Sequence, residues 1–117
     1  MSISYWQSAV HELAKQKGWW TNPISNDYYA HPGDIPEKIA LMHSELSEAL
    51  EEYRKGNAPT EIYYGGKKPE GIPIELADTV IRIMDFCGAY GIDLERAIQL
   101  KHEYNMTRPH RHGGKKC

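Results

Sequence analysis

The chain has 117 residues, of which 40% are hydrophobic and 26% charged, with a formal net charge of −2. These values exclude a disordered chain, and the length suits a single domain, residues 1–117, with a modest core. No apolar run reaches the roughly 18 residues that cross a bilayer, and the N-terminus lacks a signal-peptide pattern. Cys87 and Cys117 lie in no CxxC motif, which argues against a zinc site or disulfide framework. We therefore expect a cytoplasmic protein with no membrane partner.

Hydrophobic periodicity, read in chain order, predicts four helices and no convincing strand. Their predicted bounds are residues 4–17, 34–55, 74–87 and 93–107. Asp34 and Asp93 are suitable N-caps, and Gly18 and Gly88 are suitable helix stops. The connector over residues 57–73 is rich in Gly, Pro and Tyr and has no period. The predicted fold is all-α, a small antiparallel four-helix bundle.

Charge is distributed unevenly along these elements. Residues 1–100 carry 9 Lys and Arg against 15 Asp and Glu, whereas residues 101–117 carry 5 against 1. The basic tail covers about residues 108–117. An acidic body with a basic tail suits an anionic ligand or a polyanionic partner.

Acidic pairs at i, i+3 spacing lie beside the apolar faces of the second and third predicted helices. Glu45 and Glu48, with Glu52 beyond them, share an arc of about 60°, while Glu51 points towards solvent. On the third helix a similar acidic pair, Glu75 and Asp78, lies on the polar side of the helix. If the two helices pack antiparallel, four carboxylates meet.

Four neighbouring carboxylates need a compensating charge, because they repel one another and lose hydration at a helix interface. Arg82 is the only obvious cation on the same faces. A divalent cation is the other solution, and oxygen ligands favour Mg²⁺, Mn²⁺ or Ca²⁺ over zinc. The ordinary alternative is a solvated acidic face that holds no metal.

The fourth predicted helix presents the opposite charge. Lys101, Asn105 and Arg108 share an arc of about 60°, from which they could bind phosphate oxygens. Cations at a helix C-terminus also compensate the helix dipole, which is the alternative interpretation.

Aromatic residues are numerous near the first predicted helix and in the loop after it. They are Trp6, Trp19, Trp20, Tyr28 and Tyr29. One of them could stack on a nucleotide base, or Trp6 could be a core residue and the others contacts between copies.

Because the third helix is apolar over about two-thirds of its circumference, four short helices cannot cover it well. We therefore expect a homo-oligomer, a homodimer or a homotetramer built from two-fold dimers.

The acidic pairs resemble a known family. Ser44-Glu45-Leu46-Ser47-Glu48 and, 26 residues on, Glu75-Leu76-Ala77-Asp78 resemble the ExxE…ExxD pattern of the MazG-like all-α nucleoside triphosphate pyrophosphohydrolases. The segment from Lys101 to Pro109, followed by His112-Gly113-Gly114-Lys115, is similar to the C-terminus of small phage and bacterial members. The family pattern often reads EExxE, and here Ser44 stands in place of the first acid, which leaves the number of bound ions open.

The resemblance implies an enzyme that uses Mg²⁺, or Mn²⁺, to hydrolyse a nucleoside triphosphate, NTP or dNTP, to the monophosphate and pyrophosphate. Removal of modified nucleotides is one role within this chemistry. The metal ligands and catalytic residues it implies are Glu45, Glu48, Glu75 and Asp78. The phosphate-binding residues it implies are Lys101, Asn105 and, as a helper, Arg108.

Two alternatives to this interpretation remain. One is a phosphoribosyl-ATP pyrophosphohydrolase, which shares the fold and the acidic pairs. The other is a non-catalytic regulator that binds nucleotides or nucleic acid through the basic tail. A nucleic-acid-binding domain is typically basic as a whole, and this one is not, so we expect no nucleic-acid partner.

Overall fold

The computed structural model describes residues 2–22 and 34–109. These residues form four helices and one two-stranded sheet, so the mainly helical class is confirmed. The elements in chain order are α1 Ile3–Gln16, α2 Ile35–Arg54, β1 Tyr63–Gly65, β2 Lys68–Glu70, α3 Ile72–Ala89 and α4 Leu94–Thr107. Tyr28, Tyr29 and the tail from residue 110 lie outside the described residues.

Of the two predicted N-caps, Asp93 makes its capping hydrogen bond and Asp34 does not. Asp93 accepts a hydrogen bond from the backbone N–H of Arg96 at 3.0 Å, which starts α4 as predicted. Asp34 is the N-cap of α2, but its side chain makes no capping hydrogen bond. The start of α2 therefore relies on Pro36 in the first turn and on Glu37, whose charge favours a helix N-terminus.

Helix α3 is longer at both ends than the sequence predicts. It begins at Ile72 because Pro73 fits the first turn of a helix, where no N–H is needed. It continues through Gly88, which was expected to end it, to Ala89. Gly88 instead lies against α1, since a Cβ added there would come within 2.6 Å of the His11 Cβ.

The connector contains a β-hairpin, so the expectation of no strand was wrong. Tyr63 pairs with Glu70 and Gly65 with Lys68 in an antiparallel register. Gly66, with φ +65°, provides the left-handed backbone of the turn. Each strand has only three residues, which is too short for an alternating pattern to be recognised in the sequence.

Helix α3 is the central element and packs against both α1 and α2. Glu45 of α2 contacts Arg82, while Glu52, two turns further along α2, acts electrostatically on Glu75, so α2 and α3 run antiparallel as expected. Helix α4 packs mainly on α1: the Gln7 amide donates to the Ile92 carbonyl at 2.8 Å, just before α4 begins. Within the described residues, the chain thus has α3 between α1 and α2, with α4 against α1.

Many large apolar side chains stay exposed in this arrangement. No residue of α4 is buried, and Met106 is 73% exposed. The buried apolar residues among those described are Trp20, Ala49, Met84 and Cys87. Within residues 2–22 and 34–109, none of the helices combines the length and the hydropathy that crossing a membrane requires.

Candidate functional site

Three of the four predicted acids meet where α2 crosses α3. Glu45 comes from α2, and Glu75 and Asp78 lie one turn apart on α3. One carboxylate oxygen from each of the three lies within 4.8 Å of the others, and all three side chains are half-buried. Glu48 is exposed and does not belong to this group, which we call the acid cluster (Glu45, Glu75 and Asp78).

The acid cluster is electrostatically strained. Partial burial raises the pKa of Glu75, and the charges of Asp78 and Glu45 raise it further. Burial and then the charge of Glu45 raise the pKa of Asp78, while Arg82 and Lys68 act in the opposite direction. Both acids therefore hold their protons more strongly than free carboxylic acids do, as expected of carboxylates with too little compensating charge.

Arg82, the cation that sequence analysis singled out, provides part of that compensation. Its Nε donates to Glu45 Oε1 at 2.8 Å, and the side chains are 40% and 15% exposed. This hydrogen bond joins α3 to α2 at the edge of the acid cluster. Because the Glu75 and Asp78 pKa values remain raised, one guanidinium does not neutralise three carboxylates.

Glu52 has a different environment from the acids that precede it on α2. Its buried carboxylate accepts hydrogen bonds from the Tyr63 hydroxyl at 2.9 and 2.7 Å and from Asn57 Nδ2 at 2.7 Å. The Tyr63 hydrogen bond is the main reason why the pKa of Glu52 is lowered, and it raises the pKa of Tyr63 to about 12. Glu52 therefore attaches the β-hairpin to α2.

A cavity of about 660 Å³ opens beside the acid cluster. Glu45, Asp78 and Arg82 line one part of it. The aromatic side chains of Trp6, Trp19 and Trp20, from α1 and the turn after it, line another. The volume is within the range of pockets that hold small-molecule ligands, and most such pockets combine apolar walls with a few polar groups.

A buried polar network supports the cavity wall. The Asp85 carboxylate accepts hydrogen bonds from Trp20 Nε1 at 2.8 Å and lies 2.7 Å from His11 Nδ1. The Lys38 ammonium lies 4.6 Å from the centroid of the Trp20 ring, a cation–π contact. The sequence pattern does not reveal these contacts of Asp85, because its partners lie 65 and 74 residues away.

The predicted phosphate-binding residues, on α4 and at its C-cap, lie elsewhere in the chain. Lys101, Asn105 and Arg108 are exposed, and none of them lines the cavity. The Lys101 ammonium lies 4.9 Å from the centroid of the Tyr104 ring. Because α4 packs mainly on α1, the structure does not bring these three side chains to the acid cluster of the same chain.

Comparison with protein-family models, with curated proteins and with solved structures finds no match to this chain.

Proposed function

We propose that this protein is a metal-dependent nucleoside triphosphate pyrophosphohydrolase, as its resemblance to the MazG-like enzymes implies. It would convert an NTP or dNTP to the monophosphate and pyrophosphate, with removal of modified nucleotides in the cytoplasm as its role. The observation that carries the proposal is the position of the acid cluster at the edge of an aromatic-lined cavity of about 660 Å³. Carboxylates that can bind a cation then lie beside aromatic cavity walls on which a nucleotide base can stack.

The donor set suits Mg²⁺ or Mn²⁺. Carboxylate oxygens are the ligands these ions prefer. Burial and the charges of neighbouring acids raise the pKa values of Glu75 and Asp78, and a bound cation would offset both effects. We propose Glu45, Glu75 and Asp78 as ligands, and Glu48, one turn from Glu45, as the fourth catalytic acid. A bound ion would neutralise phosphate oxygens and lower the pKa of a coordinated water.

The chain's own residues would bind and orient the nucleotide. The hydrogen bond from Arg82 Nε to Glu45 holds the guanidinium at the cavity, where its terminal nitrogens are donors for phosphate oxygens. The exposed Trp6 and Trp19 rings offer faces on which a base can stack. Trp20 is held by Asp85 and keeps the wall in place.

A homodimer or homotetramer is part of the proposal. The exposed apolar side chains of α2 and α4 support it, since a monomer would leave them in water. In such an assembly Lys101, Asn105 and Arg108 would bind substrate phosphates of a neighbouring copy, because α4 lies on α1 in its own protomer.

The test is a screen of purified protein with Mg²⁺ against common and damaged nucleoside triphosphates and phosphoribosyl-ATP, with detection of pyrophosphate. Pyrophosphate and a monophosphate are the expected products, and Glu75→Gln is the inactive control. A nucleoside diphosphate and orthophosphate as the only products would refute the proposal. Turnover of phosphoribosyl-ATP alone would support the related enzyme, and tight nucleic-acid binding without turnover would support a regulator.

A further inference from the structure

The β-hairpin places two adjacent lysines, Lys67 and Lys68, at its turn. Residues directly opposite in an antiparallel pair share a face of the sheet, as do alternate residues along a strand. Tyr63 pairs with Glu70, and Lys68 lies two residues before Glu70 on β2. Tyr63 and Lys68 are therefore on the same face of the hairpin.

That face is directed at the helices that carry the acid cluster. The Tyr63 hydroxyl donates to the buried carboxylate of Glu52 on α2, and β2 packs on α3. Lys68 lies on β2, which leads through Gly71 directly into α3, and the first two turns of α3 carry Glu75 and Asp78. Lys67 lies in the turn between the two strands. The two lysines thus differ in position although they are neighbours in the sequence.

The ammonium group of Lys68 is available to a ligand. Its side chain is exposed, and it forms no salt bridge with any carboxylate in residues 2–22 and 34–109. The hairpin that carries it has fixed geometry at both ends: Glu52 holds Tyr63, and Gly71 precedes α3. A Cβ at Gly71 would clash with the Glu61 carbonyl oxygen, so the chain passes close to itself at this point. An ammonium on a short, anchored hairpin loses less conformational freedom on binding than one on a free loop.

We propose that Lys68 binds the phosphates of the substrate at the acid cluster, and that the Tyr63–Glu52 contact positions the hairpin for this purpose. This inference rests on the proposed function. It assigns phosphate binding within one chain to a residue that neither the acidic motifs nor the α4 cations include. Lysine suits the task because it acts as a compact point charge with three donors.

The test measures binding of inorganic tripolyphosphate by calorimetry in the presence of Mg²⁺. Wild type, Lys68→Gln, Lys68→Arg and the matched control Lys67→Gln are compared. We expect Lys68→Gln to weaken binding about 10-fold or more, the effect of one charged hydrogen bond, and Lys67→Gln to weaken it by less than about twofold. Lys68→Arg should retain most of the affinity. Equal losses for the two glutamine variants, or no binding by wild type, would overturn the inference.

Two further readouts separate this inference from its alternatives. If Lys68 only neutralises the acid cluster, Lys68→Gln lowers the apo melting temperature and leaves tripolyphosphate binding unchanged, which would refute phosphate binding. Pyrophosphate release from nucleoside triphosphates tests the proposed function independently. If Lys68→Gln weakens tripolyphosphate binding but the wild type releases no pyrophosphate, the hydrolase proposal is refuted and the inference stands. If the wild type releases pyrophosphate and Lys68→Gln is equally active, the inference is refuted and the hydrolase proposal stands.

Discussion

Arg82 Nε and Glu45 Oε1 are 2.8 Å apart and join α3 to α2 beside Glu75 and Asp78. The guanidinium and a bound cation are two ways to compensate the same carboxylates. If the acid cluster binds the proposed cation, the Arg82–Glu45 hydrogen bond links the stability of the metal-free protein to its affinity for that cation.

Replacing Arg82 by glutamine should lower the stability of the metal-free protein and increase its response to Mg²⁺. The variant loses a partly exposed ion pair, which contributes about 1 kcal/mol to the free energy of unfolding, and its acids repel one another more strongly. Urea denaturation with and without Mg²⁺ measures both effects. Arg96→Gln, an exposed arginine on α4, is the control. An equal Mg²⁺ response in the two variants would contradict the prediction.

Glu75→Gln should raise the stability of the metal-free protein and remove the response to Mg²⁺. The amide relieves the repulsion that raises the pKa of Glu75, but it is a poor ligand for the ion. We expect turnover to fall at least ~10²-fold, the order seen when one well-placed electrostatic group is lost. Melting curves and pyrophosphate release are the measurements. Glu51→Gln should behave as wild type in both, since the partner of the Glu51 side chain within residues 2–22 and 34–109 is the exposed Arg54 on its own helix. Identical results for all three proteins would show that the acids form a solvated face.

The stabilisation by Glu75→Gln should depend on pH. The pKa of Glu75 is raised from 4.5 in the folded protein, so the folded state binds this proton more tightly than the unfolded chain. The ionised side chain therefore reduces stability above the raised pKa, and the reduction disappears as pH falls below 4.5. The difference in unfolding free energy between variant and wild type should be positive at about pH 8 and shrink towards about pH 4. Denaturation in a chelator at several pH values measures it, and a constant difference would contradict the prediction. The lowered pKa of Glu52 has the opposite pH dependence, but it is common to both proteins.

Tyr63→Phe should weaken the attachment of the β-hairpin to α2. The variant leaves the buried Glu52 carboxylate without its strongest hydrogen-bond donor, so stability falls and the pKa of Glu52 rises. In wild type, one tyrosine should ionise near the pKa of about 12 assigned to Tyr63, and this transition should vanish from the ultraviolet titration of the variant. Tyr64→Phe, which alters the exposed neighbour, should retain it. Loss of the transition in Tyr64→Phe instead would contradict the assignment.

The protein should be oligomeric at micromolar concentration. Leu50 is 56% exposed on α2 and Met106 is 73% exposed on α4, and burial of such side chains between copies would stabilise an assembly. Light scattering should give a multiple of the chain mass of 13.4 kDa. A mass of 13.4 kDa would contradict the prediction.

The elements and contacts that sequence analysis predicted are those with local causes. Helical periodicity located all four helices, and the i, i+3 spacing placed Glu75 and Asp78 on one turn beside Glu45. The predictions were wrong for features that depend on a contact between residues far apart in the sequence. The hairpin depends on Tyr63 reaching Glu52, and Gly88 stays helical because α1 packs against it.

The charge pattern likewise predicted candidate site residues, but it did not predict which residues surround them. Lys101 and Asn105 lie on α4, whereas Arg108 follows its last residue in extended conformation, and periodicity contains no information about which helix this end of the chain meets. Lys68 was not among the predicted site residues, because no period marks a three-residue strand. The location of each of these residues depends on how the helices and the hairpin pack together. That packing is determined by all of their apolar faces at once.

Gly88 does not line the cavity, but its lack of a side chain affects the position of the cavity wall. Gly88 allows α1 to approach α3 through His11, His11 contacts Asp85, and Asp85 holds Trp20 in the cavity wall. Any larger residue at position 88 would separate the two helices and displace that wall, although it would touch no ligand. The width of the cavity is thus set in part by the absence of a side chain at position 88, which lets α1 approach α3.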